Sequence, residues 1–151
     1  MKTVVYACIA SLLLAIVAPA RADISSLPAP KAQGPISYVS GGIGDDQAGA
    51  FKQAARSYPL ELLFAQRGTP KDEYVAEVKV TIRDSSGKVL LDTMSDGPFL
   101  LAKLPSGKYR IDADYAGQAK HQSVDIQGGK HQRKVFVWSP SPDEGEVSSG
   151  Q

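Results

Sequence analysis

Cysteine is almost missing from this chain. The single one, Cys8, lies in the first apolar stretch, so the remainder can form no disulfide and must fold on an apolar core. Histidine is nearly as scarce, with His121 and His131 alone. Two imidazoles fall short of a structural zinc set, and copper would favour Cys and Met ligands where Met94 is the one candidate past the first stretch. No strong charge of either sign is present. The net charge is +1, and without Lys2 and Arg21 the balance is 15 basic against 16 acidic residues, which lacks the surplus a general nucleic-acid binder needs. Long apolar runs are missing too. Val4 to Val17 is the longest, at about 14 residues against the ~20 of a spanning helix.

That run has the layout of an export signal. Lys2 supplies the positive start, Pro19 breaks the apolar stretch, and Ala20-Arg21-Ala22 is a small-x-small site before Asp23. The expectation is a signal peptide over residues 1–22, cleaved after Ala22, and a periplasmic product with no membrane insertion of its own. Cys8 lacks the surroundings of a lipoprotein anchor.

Residues 23–35 carry three prolines and little periodicity, and read as a linker. Residues 139–151, SPSPDEGEVSSGQ, read as a disordered polar tail. The folded part is therefore one domain of 36–138. Its first portion, 36–58, holds a strand or loop and one short helix over Gly44–Tyr58. Ala48, Phe51, Ala55 and Tyr58 share a face there, Asp45 and Asp46 suit the N-terminus, Gly49 weakens the middle and Pro59 ends it.

Over 59–138 the apolar period changes to two. Leu60-Leu62-Phe64, Val78-Val80-Ile82 and Tyr109-Ile111-Ala113-Tyr115 each alternate, and further strands are expected from Val89, from Phe99, over Gln118–Ile126 and over Gln132–Trp138. Asp84-Ser85-Ser86-Gly87, Asp96-Gly97-Pro98, Gly117 and Gly128-Gly129 supply the turns. About seven strands with turns every eight to twelve residues make an all-β sandwich.

Three segments in order sharpen that expectation: Val78–Gly87, Ser95-Asp96-Gly97-Pro98-Phe99, and Leu104-Pro105-Ser106-Gly107-Lys108-Tyr109. Together they resemble the carboxypeptidase regulatory-like domain. The resemblance covers about Leu60 to Trp138 and implies a seven-stranded antiparallel, transthyretin-like (prealbumin-like) sandwich. Pro and Gly make the tight turn, Leu104 closes one strand, and Tyr109 opens the next with its ring in the core. Tyr38 to Asp46 resembles the N-terminal stretch of small exported proteobacterial proteins with the same sandwich, which implies a periplasmic setting and no particular activity.

Catalytic patterns do not form. A zinc carboxypeptidase would need His-x-x-Glu, and neither histidine has Glu at that spacing. The ending of transthyretin-like hydroxyisourate hydrolases, Tyr-Arg-Gly-Ser, is replaced by a passage through Trp138 into Ser139-Pro140. Ser40 lacks the Gly-x-Ser-x-Gly elbow. Gly42-Ile43-Gly44 lacks the third glycine of a phosphate cradle, and Asp45-Asp46 would repel an anion there. No catalytic residue, cofactor or metal site is assigned. Lys130-His131-Arg133-Lys134, the one basic cluster, reads as a solvated strand edge or loop rather than an anion site.

The expectation is a non-catalytic binding or accessory module for a periplasmic or envelope protein. Its candidate contact residues are Ser40, Gly41, Gly42, Ile43, Gly44, Asp45 and Asp46, a glycine-dense loop that close packing would also explain. Tyr38, Tyr58, Tyr74 and Trp138 are assigned to the core ahead of a surface patch. The rivals are a small-molecule carrier or sensor, with its pocket between helix Gly44–Tyr58 and the sandwich, and an enzyme with an unrecognised site, for which Asp45, Asp46 and His121 are the residues to substitute.

Overall fold

Period-two alternation places apolar side chains on one face of each strand, and two such faces closing on each other exclude water from both. A computed structural model shows that arrangement, and it describes residues 27–141. The expected export signal over 1–22, the first residues of the expected linker (23–26) and the expected tail from 142 onward lie outside the described residues. One sheet has the strand order β1 (Lys31–Gln33), β2 (Ile36–Gly41), β7 (Phe99–Lys103), β3 (Leu60–Gln66) and β10 (Gln132–Trp138), with β4 (Glu73–Tyr74) also paired to β3. The other has the order β6 (Val89–Met94), β5 (Lys79–Asp84), β8 (Gly107–Tyr115) and β9 (Gln118–Ile126). No helix among the described residues is long and apolar enough to cross a membrane.

The sandwich is confirmed, with ten strands in place of seven. All seven expected strands form, as β3 and β5 to β10. The additions have little alternation to reveal them. β1 falls within the proline-bearing segment read as a linker, β4 is two residues long, and β2 is buried on both faces. Pairing is antiparallel except in one place, where β10 runs parallel to β3 from Gln132↔Leu60 to Trp138↔Gln66.

Leu60, Leu62, Phe64, Leu100, Phe136 and Trp138 face Val80, Ile82, Leu91, Ile111, Val124 and Ile126 across the main core. Trp138 is fully buried, with its ring 5.5 Å from that of Tyr115 and its indole N–H donating to the Gln118 carbonyl at 2.7 Å. That bond ties the end of β10 to the start of β9 in the opposite sheet. In the Leu104–Tyr109 turn, the Tyr109 ring is buried and its hydroxyl donates to the Pro105 carbonyl at 2.7 Å. Burial pushes that phenol above its ordinary 10.0.

A second, smaller core lies outside the larger sheet. Helix α1 (Asp45–Ala54) continues into a 3₁₀ turn over Ala55–Ser57 and covers Val39, Leu63, Phe99 and Leu101. Phe51 and Ala55 are buried there, with Ala48 and Tyr58 packed alongside, which is the face expected from their spacing. A ten-residue helix with an interior glycine is marginal alone. Its anchor is Phe51, fully buried and stacked on Phe99 at 5.8 Å, a burial worth about 1.5–3 kcal/mol. This cover explains why Leu63 is buried on the outward face of β3.

Candidate functional site

The glycine-dense loop divides at Gly42. Ser40 is 3% exposed, and its hydroxyl donates to Asp96 Oδ2 at 3.0 Å while accepting the Asp96 N–H at 3.1 Å. Gln47 Oε1 accepts the N–H groups of Gly42 at 2.7 Å and Ile43 at 3.2 Å. Gly42 has φ +99, and a Cβ on it would overlap the Phe99 ring. A Cβ on Gly97 would overlap the Gly41 backbone. Ser40, Gly41 and Gly42 are thus packing residues, with glycine required by close approach. Ile43, at 65% exposure, and Gly44, Asp45 and Asp46 face outward. Both acids lie in the first turn of α1, where carboxylates favour the helix dipole, while Gly44 at the cap position makes no side-chain capping bond.

Of the aromatic residues, Tyr38 and Trp138 are buried, Tyr58 is half-buried and Tyr74 is 54% exposed, its ring 5.8 Å from that of Phe99. The two histidines lie apart in the fold. His121 is on β9 opposite Asp112, and His131 precedes β10. Among the described residues, no three His, Cys, Asp or Glu side chains come together as a metal group would require.

The basic cluster is where the chain does something its sequence hides. Alternation along β10 sends Arg133 and Lys134 to opposite faces, and parallel pairing sets Arg133 beside Glu61 of β3. Glu61 is the one charged residue buried among the described residues, at 6% exposure. Its Oε2 lies 3.0 Å from His131 Nε2, and its Oε1 lies 3.5 Å from Arg133 Nε. His131 Nδ1 lies 2.8 Å from the Tyr58 carbonyl. Both ring nitrogens of the imidazole thus face oxygen atoms, the Tyr58 carbonyl on one side and the Glu61 carboxylate on the other. This cross-link ties the end of the helical segment to the parallel strand pair. A buried carboxylate is tolerated because it is paired on both oxygens.

Above Glu61 lies a cleft of about 420 Å³ between the helical segment and the β3–β10 pair. Lys52 and Arg56, four residues apart, rise from the helix on one side, His131 and Arg133 from the strand side, and Ala55 and Phe99 form an apolar floor. Lys52 and Arg56 have no ion-pair partner among the described residues. A second cleft of about 330 Å³ adjoins through Arg56 and His131 and adds Lys130. Because Phe51 and Phe99 fill the space between helix and sheet, the free volume lies at the C-terminal end of the helical segment.

A larger cavity, about 630 Å³, lies on the smaller sheet near Arg83, Asp84, Tyr109 and Arg110. Apart from Lys108, its charged side chains are mostly committed locally. Arg83 and Arg110 both meet Asp112, at 3.6 and 2.9 Å. Asp84 Oδ1 accepts from Ser86 N, the Ser86 hydroxyl and Lys88 N, which builds the β5–β6 turn and holds that carboxyl below its ordinary 3.8. The cleft over Glu61, with unpaired cations facing it, is the better functional candidate.

No family model and no curated protein matches the chain. Among solved structures, it is similar to a chain of the Bacillus anthracis TIE protein, at 15% identity and a TM-score of 0.38. The match takes in 54% of this chain and 16% of that one, so this chain corresponds to a small part of that protein's length. At that score the likeness carries no argument, and the sandwich stands on its own strand order and core.

Lys52, Arg56 and Glu61 are absent from the sequence-level candidates. Two signals were available for them. One is the four-residue spacing of two bases on a helix, and the other is a lone carboxylate inside Leu60-Glu61-Leu62-Leu63-Phe64.

Proposed function

We propose that this chain is a non-catalytic binding module of the periplasm, a carboxypeptidase regulatory-like sandwich that engages an envelope component or protein through the cleft at the end of its helix. The observation that carries this reading is the convergence of Lys52 and Arg56, neither ion-paired among the described residues, with His131 and Arg133 around one buried carboxylate. Side chains without partners at the rim of a concave site are available to a ligand. The groups with acid–base chemistry are occupied, since both Glu61 oxygens and both His131 nitrogens already have partners, which favours binding over catalysis. The small-x-small site at Ala20-Arg21-Ala22 supports the periplasmic setting, and the Tyr109–Pro105 bond supports the domain assignment.

Affinity capture from periplasmic extract tests it, with wild-type protein beside the double variant Arg56→Glu, Arg133→Glu. The expected result is a component retained by the wild type and lost by the variant. Identical recoveries from the two proteins would overturn the reading.

A further inference from the structure

Resting on that binding reading, we propose that the cleft over Glu61 is a site for a phosphate monoester. Charge selects the ligand class. Lys52, Arg56 and Arg133 bring three permanent positive charges to the rim, and Glu61 supplies the single negative charge in the lining. The excess is two. A carboxylate ligand brings one negative charge, whereas a phosphate monoester brings about 1.5 to 2 at neutral pH. Geometry agrees with charge. Arg133 meets Glu61 through Nε at 3.5 Å, which leaves its two terminal nitrogens for a ligand. Arg56 has no ion-pair partner among the described residues, and the guanidinium fork matches two oxygens of one tetrahedral phosphate.

The remaining features suit a phosphate that carries a substituent. A volume of about 420 Å³ exceeds what a bare phosphate fills, and the Ala55–Phe99 floor offers carbon for the attached group to lie against. Glu61 sets a limit on the site. It holds His131 and Arg133 in place beneath the ligand, and it repels an anion that descends too far, so the phosphate sits at the rim between the helix cations and Arg133. The same chemistry has two sources in an envelope, a soluble phosphorylated metabolite or the headgroup of a phosphorylated lipid.

Isothermal titration of the full chain with glycerol 3-phosphate, and co-sedimentation with phosphatidylcholine vesicles with and without phosphatidic acid, distinguish the two. Lys52→Ala and Arg56→Ala are each expected to weaken binding about tenfold, the loss of one hydrogen bond to a charged group. Lys79→Ala, on the opposite sheet, is expected to leave it unchanged. Acetate at equal concentration should not compete. Binding of glycerol 3-phosphate with this variant pattern establishes the site with a soluble ligand. Binding confined to phosphatidic acid vesicles, with the same pattern, establishes it with a lipid. Binding of neither, or binding indifferent to Lys52→Ala and Arg56→Ala, overturns the assignment. If neither phosphate probe binds while periplasmic capture still depends on Arg56 and Arg133, the phosphate assignment falls and the binding module stands. If capture fails as well, both fall.

Discussion

Three glycine-to-alanine substitutions separate close packing from backbone strain around the loop that leads into α1. Gly97 has an ordinary backbone conformation, but an added Cβ would overlap the Gly41 carbonyl and Cα, which no side-chain rotation can relieve. Overpacking of this kind costs about 1–3 kcal/mol. The forced shift also pulls on the two Ser40–Asp96 hydrogen bonds, at 3.0 and 3.1 Å, each worth about 0.5–1.5 kcal/mol. Gly97→Ala should therefore destabilise by roughly 2–5 kcal/mol, a fall in Tm on the order of 10 °C for a domain of this size. Gly44 has open space around it and φ +84, so Gly44→Ala carries backbone strain alone, about 1–2 kcal/mol. Gly49 lies inside α1 with nothing near its missing Cβ, so Gly49→Ala should stabilise by about 0.5–1 kcal/mol. Thermal unfolding followed by circular dichroism reads all three. A Gly97→Ala protein that melts within 2 °C of wild type, or a Gly49→Ala protein that melts below it, would refute the packing argument.

Other perturbations test other parts of the fold. Trp138→Phe removes the indole bond to the Gln118 carbonyl and should lower stability by about 1–3 kcal/mol, read as a lower urea midpoint with unchanged slope. Tyr109→Phe removes the bond that closes the Leu104–Tyr109 turn and should cost about 1 kcal/mol in the same assay. The hydrogen bond from Lys31 at 3.0 Å, with a second from Ser40, holds the Asp96 carboxyl below its ordinary 3.8. A depressed carboxyl stabilises the fold above its unfolded value, and that contribution is lost as pH falls below 3.8 through the folded value. Asp96→Asn should flatten this acid limb of a Tm-against-pH curve. Because the Asp96 side chain is 56% exposed, solvent screening keeps the effect small.

The fold was legible wherever one face of a strand meets water. Val80 and Ile82 alternate with Lys79, Thr81 and Arg83 because β5 has a polar outer face, and the strand is found where the pattern places it. The pattern fails where both faces are covered. β2 is buried on one side by the opposite sheet and on the other by α1, so Ile36–Gly41 shows no alternation, and its closing glycine reads as loop. The site was harder for a related reason. Arg133 and Glu61 are far apart in sequence and meet through a parallel pairing that neither strand announces. The basic cluster was visible, and it does lie at a solvated edge, since β10 ends its sheet and Lys130, His131 and Arg133 are exposed. The pleat separates them, giving Arg133 to the cleft and turning Lys134 away. Asp45 and Asp46 were placed correctly at the helix start because the dipole argument is local.

The central claim, that this molecule acts by binding at the end of its helix, is tested most directly by site-specific photo-crosslinking in the periplasm. A photoreactive residue at exposed Ser57, which borders the adjoining cleft, is compared with one at Lys79 on the opposite sheet. The account predicts a discrete mass-shifted adduct from position 57 that Arg56→Glu with Arg133→Glu abolishes, and none from position 79. No adduct at 57, or adducts of equal yield at both positions, would contradict it.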